Sequence, residues 1–176
     1  EVKSLAELPK AKAIFLDTTP TQFMDLASGQ LPSPYVNAIN RFRYGAGVFK
    51  IDYALSEAVP WKDKQCLRAG TVHLGGTLEE IVQSEYEMSQ GRHAEKPYVL
   101  VAQQSLFDDS RAPQGKHTLW AYCHVPNGST LDMTEQIEGQ LERFAPGFKN
   151  IVLARHTMNT RAMQSYNMNY IGGDIN

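Results

Sequence analysis

The sequence is poor in cysteine, has no long apolar run and carries no excess of either charge. Its two cysteines, Cys66 and Cys123, stand far apart with no second cysteine near either. That spacing argues against a zinc cage and a disulfide framework, and no metal site is expected. No apolar stretch approaches the ~20 residues that a bilayer span needs, so nothing points to membrane contact. The apolar run Ala13-Ile14-Phe15-Leu16 is broken at once by Asp17, so no secretory leader is predicted. A net charge of -2, from 17 basic and 19 acidic residues that are interspersed, leaves no footprint for a polyanion. Nucleic acid and an anionic bilayer are therefore poor candidates for the main partner. A cytoplasmic location is expected, where thiols stay reduced.

What is present suffices for a core. The 176 residues are 42% hydrophobic, enough for a folded domain rather than a disordered chain. The clearest pattern is a period of two in residues 48–55, where Phe49, Ile51, Tyr53 and Leu55 share one face and Val48, Lys50, Asp52 and Ala54 the other. That is the alternation of a half-buried strand with one lysine on its mixed face.

Further along, 70–74 reads as a strand. Thr77 and Glu80 have capping-box spacing and open a helix whose Leu78, Ile81, Val82 and Met88 are spaced for one face. Residues 98–103 and 117–125 read as strands that pair across a long loop, 105–116, of a length that is often functional. Asp132 and Glu135 start a helix with the apolar stripe Met133, Ile137, Leu141 and Phe144. A short strand at 151–154 follows, then a helix capped by Asn159 or Thr160.

Before Gly45, residues 11–16 read as a short buried strand. Two short helices follow, one behind Thr19-Pro20 and one capped by Ser33. The predicted fold class is α+β, a mixed and largely antiparallel sheet with helices mainly on one face. Residues 1–44 form a leading segment of one strand and two short helices, and 45–176 form the main domain.

Several long words, in order, carry a resemblance. They are Arg43-Tyr44-Gly45-Ala46-Gly47-Val48-Phe49-Lys50, then Ala69-Gly70-Thr71-Val72-His73-Leu74-Gly75-Gly76-Thr77-Leu78-Glu79-Glu80. Ser105-Leu106-Phe107-Asp108-Asp109-Ser110-Arg111-Ala112-Pro113, Gly115-Lys116-His117-Thr118-Leu119-Trp120-Ala121-Tyr122-Cys123-His124-Val125-Pro126 and Asn169-Tyr170-Ile171-Gly172-Gly173-Asp174-Ile175-Asn176 complete the set. In these the chain resembles the phytoene dehydrogenase-related oxidoreductases of the phytoene desaturase and flavin amine oxidase superfamily.

The resemblance implies the substrate-binding domain of an FAD-dependent enzyme that dehydrogenates an apolar small molecule by hydride transfer to flavin. It implies Lys50 as the catalytic lysine, facing flavin N5 through a water molecule, and Gly172, Gly173 and Asp174 as a flavin-contacting return. Such an enzyme carries a Gly-x-Gly-x-x-Gly turn between a strand and a helix. Here Gly45-Ala46-Gly47 lacks the third glycine, whose place is taken by Lys50, and leads into a strand. The expectation is a domain excised from a longer polypeptide, with the FAD-binding domain elsewhere, and a fragment that is inert and binds no FAD alone.

Each candidate residue also has a plainer role. Lys50 could point to solvent and pair with Asp52 on its own face. His73 and His124 either line a substrate pocket or serve as hydrogen-bonded structural groups, while His117 and His124 face opposite sides of the sheet and cannot share a metal. Tyr53, Trp120 and Tyr122, with Phe49 and Trp61, supply aromatic surface for a core or for a substrate wall. Asp108 and Arg111 suit a surface ion pair or a carboxylate anchor. The alternative function is a self-standing α+β module that binds a lipid or terpenoid without flavin.

Overall fold

A computed structural model describes residues 2–175; Glu1 and Asn176, the outermost residues of the two expected segments, lie outside the described residues. The chain divides into two compact units, Glu1–Tyr44 and Gly45–Asn176.

The first unit holds two short helices, α1 (Pro20–Leu26) and α2 (Ser33–Ile39). Proline at the first helical position starts α1, because its fixed φ suits a helix and its missing N–H is no loss there. The expected caps act differently: the Thr19 hydroxyl bonds Gln22 rather than a backbone N–H, and the cap of α2 is Pro32, with Ser33 already helical. Residues 11–16 are not a strand, and Ile14, Phe15 and Leu16 are exposed. No strand exists among the described residues of this unit to supply a ladder, and six extended residues alone cannot satisfy their backbone groups.

The second unit is an α+β fold built on β1 (Gly47–Leu55), β2 (Thr71–Leu74), β3 (Val99–Ala102), β4 (His117–Val125) and β5 (Val152–Met158), in the spatial order β2-β3-β4-β1-β5. Every ladder is antiparallel. Its helices are α3 (Leu78–Ser89), α4 (Thr134–Phe144), the single turn α5 (Phe148–Ile151) and α6 (Thr160–Tyr166). No helix among the described residues is long and apolar enough to cross a membrane.

Period-two alternation gives the sheet two unlike faces. Phe49, Ile51, Tyr53 and Leu55 of β1 lie beside Leu119, Ala121 and Cys123 of β4 and Val99 and Val101 of β3. Met133, with Ile137 and Leu141 of α4 and Phe148 and Ile151 of α5, joins these residues in one core. Burial pushes the Cys123 thiol up to about 12, so it is an inert core group. Trp61 and Gln103 close the core's rim: Trp61 Nε1 donates to Gln103 Oε1 at 2.7 Å, and Gln103 Nε2 donates to the Cys66 and Ala69 carbonyls.

The capping box of α3 forms with both arms, the Thr77 hydroxyl accepting from Glu80 N–H and the Glu80 carboxylate from Thr77 N–H. That carboxylate also takes a two-pronged Arg143 contact from α4 at 2.9 Å, which ties the two helices together. The apolar stripe of α3 is not buried as its spacing predicts. Leu78 and Val82 are 71% and 58% exposed, and Ser84, whose hydroxyl accepts from Tyr98 N–H, is the buried residue. Polar ties, Ser84 to Tyr98 just before β3 and Glu80 to Arg143, hold the helix in this rotation.

Candidate functional site

The sheet face turned away from α4 and α5 gathers most of the sequence's candidates. The β1–β4 register sets Val48 opposite His124, Lys50 opposite Tyr122 and Asp52 opposite Trp120. Neighbouring strands extend the same face, with Leu100 beside Tyr122, His73 beside Leu100, and Met158 and His156 beside Lys50 and Asp52. Antiparallel pairing of five strands thus brings residues far apart in sequence onto one surface.

Along this face runs an aromatic row. The Trp120 and Tyr122 rings lie within 10° of parallel at 6.0 Å between centroids, and the His124 ring stands a further 6.0 Å along. Lys50 Nζ lies 5.9 Å from the Trp120 centroid and forms an ion pair with Asp52. With its side chain 26% exposed, that pair contributes at most about 1 kcal/mol. The ammonium has three donors and spends one on Asp52, so it can still hold a water or a substrate atom.

At the other end, His124 Nδ1 lies 2.8 Å from Glu85 Oε2 of α3. The carboxylate can only accept, so the imidazole donates from Nδ1 and leaves Nε2 as its acceptor. The second oxygen, Glu85 Oε1, is buried without a partner. His73 Nδ1 is joined to the Tyr98 hydroxyl beside this pair. Burial, with the nearby Tyr98 and Glu85 oxygens, raises the Tyr122 hydroxyl above its ordinary value, so it stays protonated.

Lys50, His73, Trp120, Tyr122 and His124 therefore share one surface, and Tyr53 does not. Tyr53 is one step out of phase on β1, 3% exposed, and its ring meets Phe148 edge-on at 5.3 Å. It is a core residue and cannot line a substrate wall on the face of Lys50.

Gly172, Gly173 and Asp174 lie where β1 begins and β4 ends, and close the unit on itself. The Asp174 carboxylate accepts from Gly45 N–H at 2.6 Å, and Asn127 Nδ2 donates to the Gly45 and Ile171 carbonyls. Both glycines have positive φ, and a Cβ on Gly173 would meet Thr160 at 2.7 Å. Their need for glycine is met by packing within the chain.

The long loop 105–116 is closed at its base by Ser105, whose hydroxyl accepts from Thr118 N–H at 3.0 Å and contacts His117 Nδ1 at 3.1 Å. Beneath it lies a cleft of about 470 Å³ lined by Ser105, Asp109, Pro113, Lys116 and His117. Arg111 and Asp108 form an exposed ion pair at 2.8 Å.

Glu85 and Tyr98 are members of the face that sequence reasoning passed over. Glu85 sits three residues beyond Val82 on the helix, and that phase was the available signal. Its partner lies 39 residues away, which no local pattern reveals.

A cation beside nearly parallel aromatics suits a planar ring, but the one Gly-x-Gly of the sequence is not a phosphate-binding turn. Gly45-Ala46-Gly47 runs into β1, and a Cβ on Gly47 would meet the Gly172 carbonyl at 2.6 Å, so its bareness serves backbone closure. Nor does any cluster of His, Cys, Asp and Glu among the described residues suit a metal ion. No protein-family model matches the chain, and no curated protein matches it.

Proposed function

We propose that the 45–176 unit is the substrate-binding domain of a cytoplasmic FAD-dependent oxidoreductase that dehydrogenates an apolar substrate. One observation supports this above others: the sheet face left bare by α4 and α5 carries a single lysine at the end of an aromatic row. FAD, bound by another domain of the same polypeptide, supplies the hydride acceptor.

This chain's residues do the positioning. Trp120 and Tyr122 hold the apolar body by contact and keep bulk water off it. Lys50 uses its remaining donors to hold a water or a polar atom, and Asp52 keeps its ammonium over the row. Gly172, Gly173 and Asp174, which the resemblance implies as flavin contacts, tie the return segment to Gly45 in this reading.

The test uses the complete polypeptide. It is expected to purify with stoichiometric flavin, and Lys50→Met should slow flavin reduction or reoxidation by roughly 10²-fold, the scale of a lost proton- or water-positioning group. A complete polypeptide that neither carries nor takes up flavin overturns the reading. If it still binds apolar ligands, a self-standing lipid or terpenoid carrier takes its place.

A further inference from the structure

The Glu85–His124 pair is short of donors. His124 offers Nε2, Glu85 Oε1 has no partner, and the one donor between them, the Nδ1 hydrogen, is spent on Glu85 Oε2. Glu85 Oε1 is a buried atom, so of the two acceptors left over, Nε2 of the partly exposed His124 is the one that a ligand's donor can reach. His124, whose side chain is 33% exposed, sits at the end of the Trp120–Tyr122 row, so whatever supplies that donor also touches the aromatic floor.

On the helix side the surface stays apolar. Val82 precedes Glu85 by three residues and Leu78 precedes Val82 by four, so both share its flank of α3 and are exposed. The polar pair therefore stands at the meeting of two apolar surfaces. One runs along β4 through Tyr122 to Trp120 in two steps of 6.0 Å; the other runs back along α3 through Val82 to Leu78.

We propose that this end of the face recognises the head of an amphiphile, an O–H or N–H donor carried on an apolar body. The inference rests on the reading of this face as a substrate wall and adds the substrate's chemical class. The head donates to His124 Nε2, while Glu85 fixes the imidazole by taking its Nδ1 hydrogen. The body lies on Tyr122 and Trp120. Glu85 is a positioning residue, and His124 is the group that touches the ligand.

The probes are 1-decanol, decylamine and decane, titrated into the chain while Trp120 emission is followed, with Trp120→Phe identifying the source of the signal. Decanol, decylamine or both should bind about tenfold more tightly than decane, the scale of one hydrogen bond to a charge-assisted acceptor. The stronger of the two tells hydroxyl from amine. His124→Phe, which keeps a ring beside Tyr122, should bring the donor probes down to the affinity of decane and leave decane unchanged. Glu85→Gln should lose part of the same preference, and because both side chains are partly exposed the fold should survive.

Equal binding of all three probes by the unaltered chain overturns the inference, as does a preference that His124→Phe leaves intact. Failure of all three to bind overturns it too. Flavin uptake by the complete polypeptide is a separate readout, so the oxidoreductase reading stands or falls on its own.

Discussion

The two faces of the sheet are made by the same strands and differ in almost everything else. Ile51 and Lys50 are neighbours on β1. The first is wholly buried beneath α4 and α5, and the second lies over an indole with a carboxylate at its side. On the covered face the selection is for volume: Phe49, Leu119, Val101, Leu141 and Phe148 fill space and leave few polar atoms. On the bare face it is for reach and charge, with Lys50, Asp52, His124 and Glu85 set around Trp120 and Tyr122. Stability should therefore reside on one side of the sheet and binding on the other.

Breaking the comparison at its strongest point gives the largest effect. Ile51→Ala should destabilise the fold by about 2 to 5 kcal/mol, as a cavity in a close-packed core does, measured by urea denaturation. Leu141→Ala on α4 should fall in the same range. Either variant, while folded, should keep the ligand response of Trp120. If Ile51→Ala abolished binding at full stability, the division between the faces would fail.

Glu138 sharpens the comparison by its pH dependence. It is a buried carboxyl on the core side of α4, with Arg155 at 3.2 Å and Lys149 at 3.8 Å. Burial raises it above its ordinary 4.5, outweighing the two cations. The folded chain thus holds that proton more tightly than the unfolded one. Its contribution is full below pH 4.5 and is lost as pH rises through the folded value. Glu138→Gln should flatten that part of the curve of urea midpoint against pH, and an unchanged slope would show that folding does not shift this carboxyl.

Tyr53 gives a smaller and opposite effect. Its hydroxyl is buried without a partner, and burial, with the negative Glu138 nearby, raises it far above its ordinary value. Tyr53→Phe removes an unsatisfied group and should be neutral or stabilising by up to about 1 kcal/mol, with ligand binding untouched. The smallest effect on stability belongs to Lys50→Met. An exposed ion pair and a weak cation–π contact together contribute under about 1 kcal/mol, so its melting temperature should barely move while flavin chemistry slows.

Legibility in the sequence followed the range of the interactions. The β1 alternation and the Thr77–Glu80 capping box are readable, and the cap of α6 is narrowed to Asn159 or Thr160, of which Asn159 serves, because each depends on residues at most a few positions apart. The apolar run 151–154 marks only the start of the last strand, which runs from Val152 to Met158, since its later residues are extended by pairing with β1. The α3 stripe misled for a related reason. Leu78 and Val82 have the spacing of a buried face, but the helix is held by Ser84 on Tyr98 and Glu80 on Arg143.

Most of the candidate site was legible by face and by resemblance, as Lys50, His73, Trp120, Tyr122 and His124. Tyr53 stands outside it because it is one step out of phase with Lys50 on β1 and faces the core. Glu85 and Tyr98 were missed because their meaning is a contact with residues 39 and 25 positions away.

By itself the sequence determined which residues alternate, where helices begin and which strand face could hold a core, because these follow from backbone geometry and neighbouring side chains. Only the tertiary structure decided that β1 pairs with β4 in the register that sets Lys50 opposite Tyr122, and that a glutamate from α3 meets His124. Both are long-range contacts. They are chosen by the packing of whole elements, which no local pattern encodes.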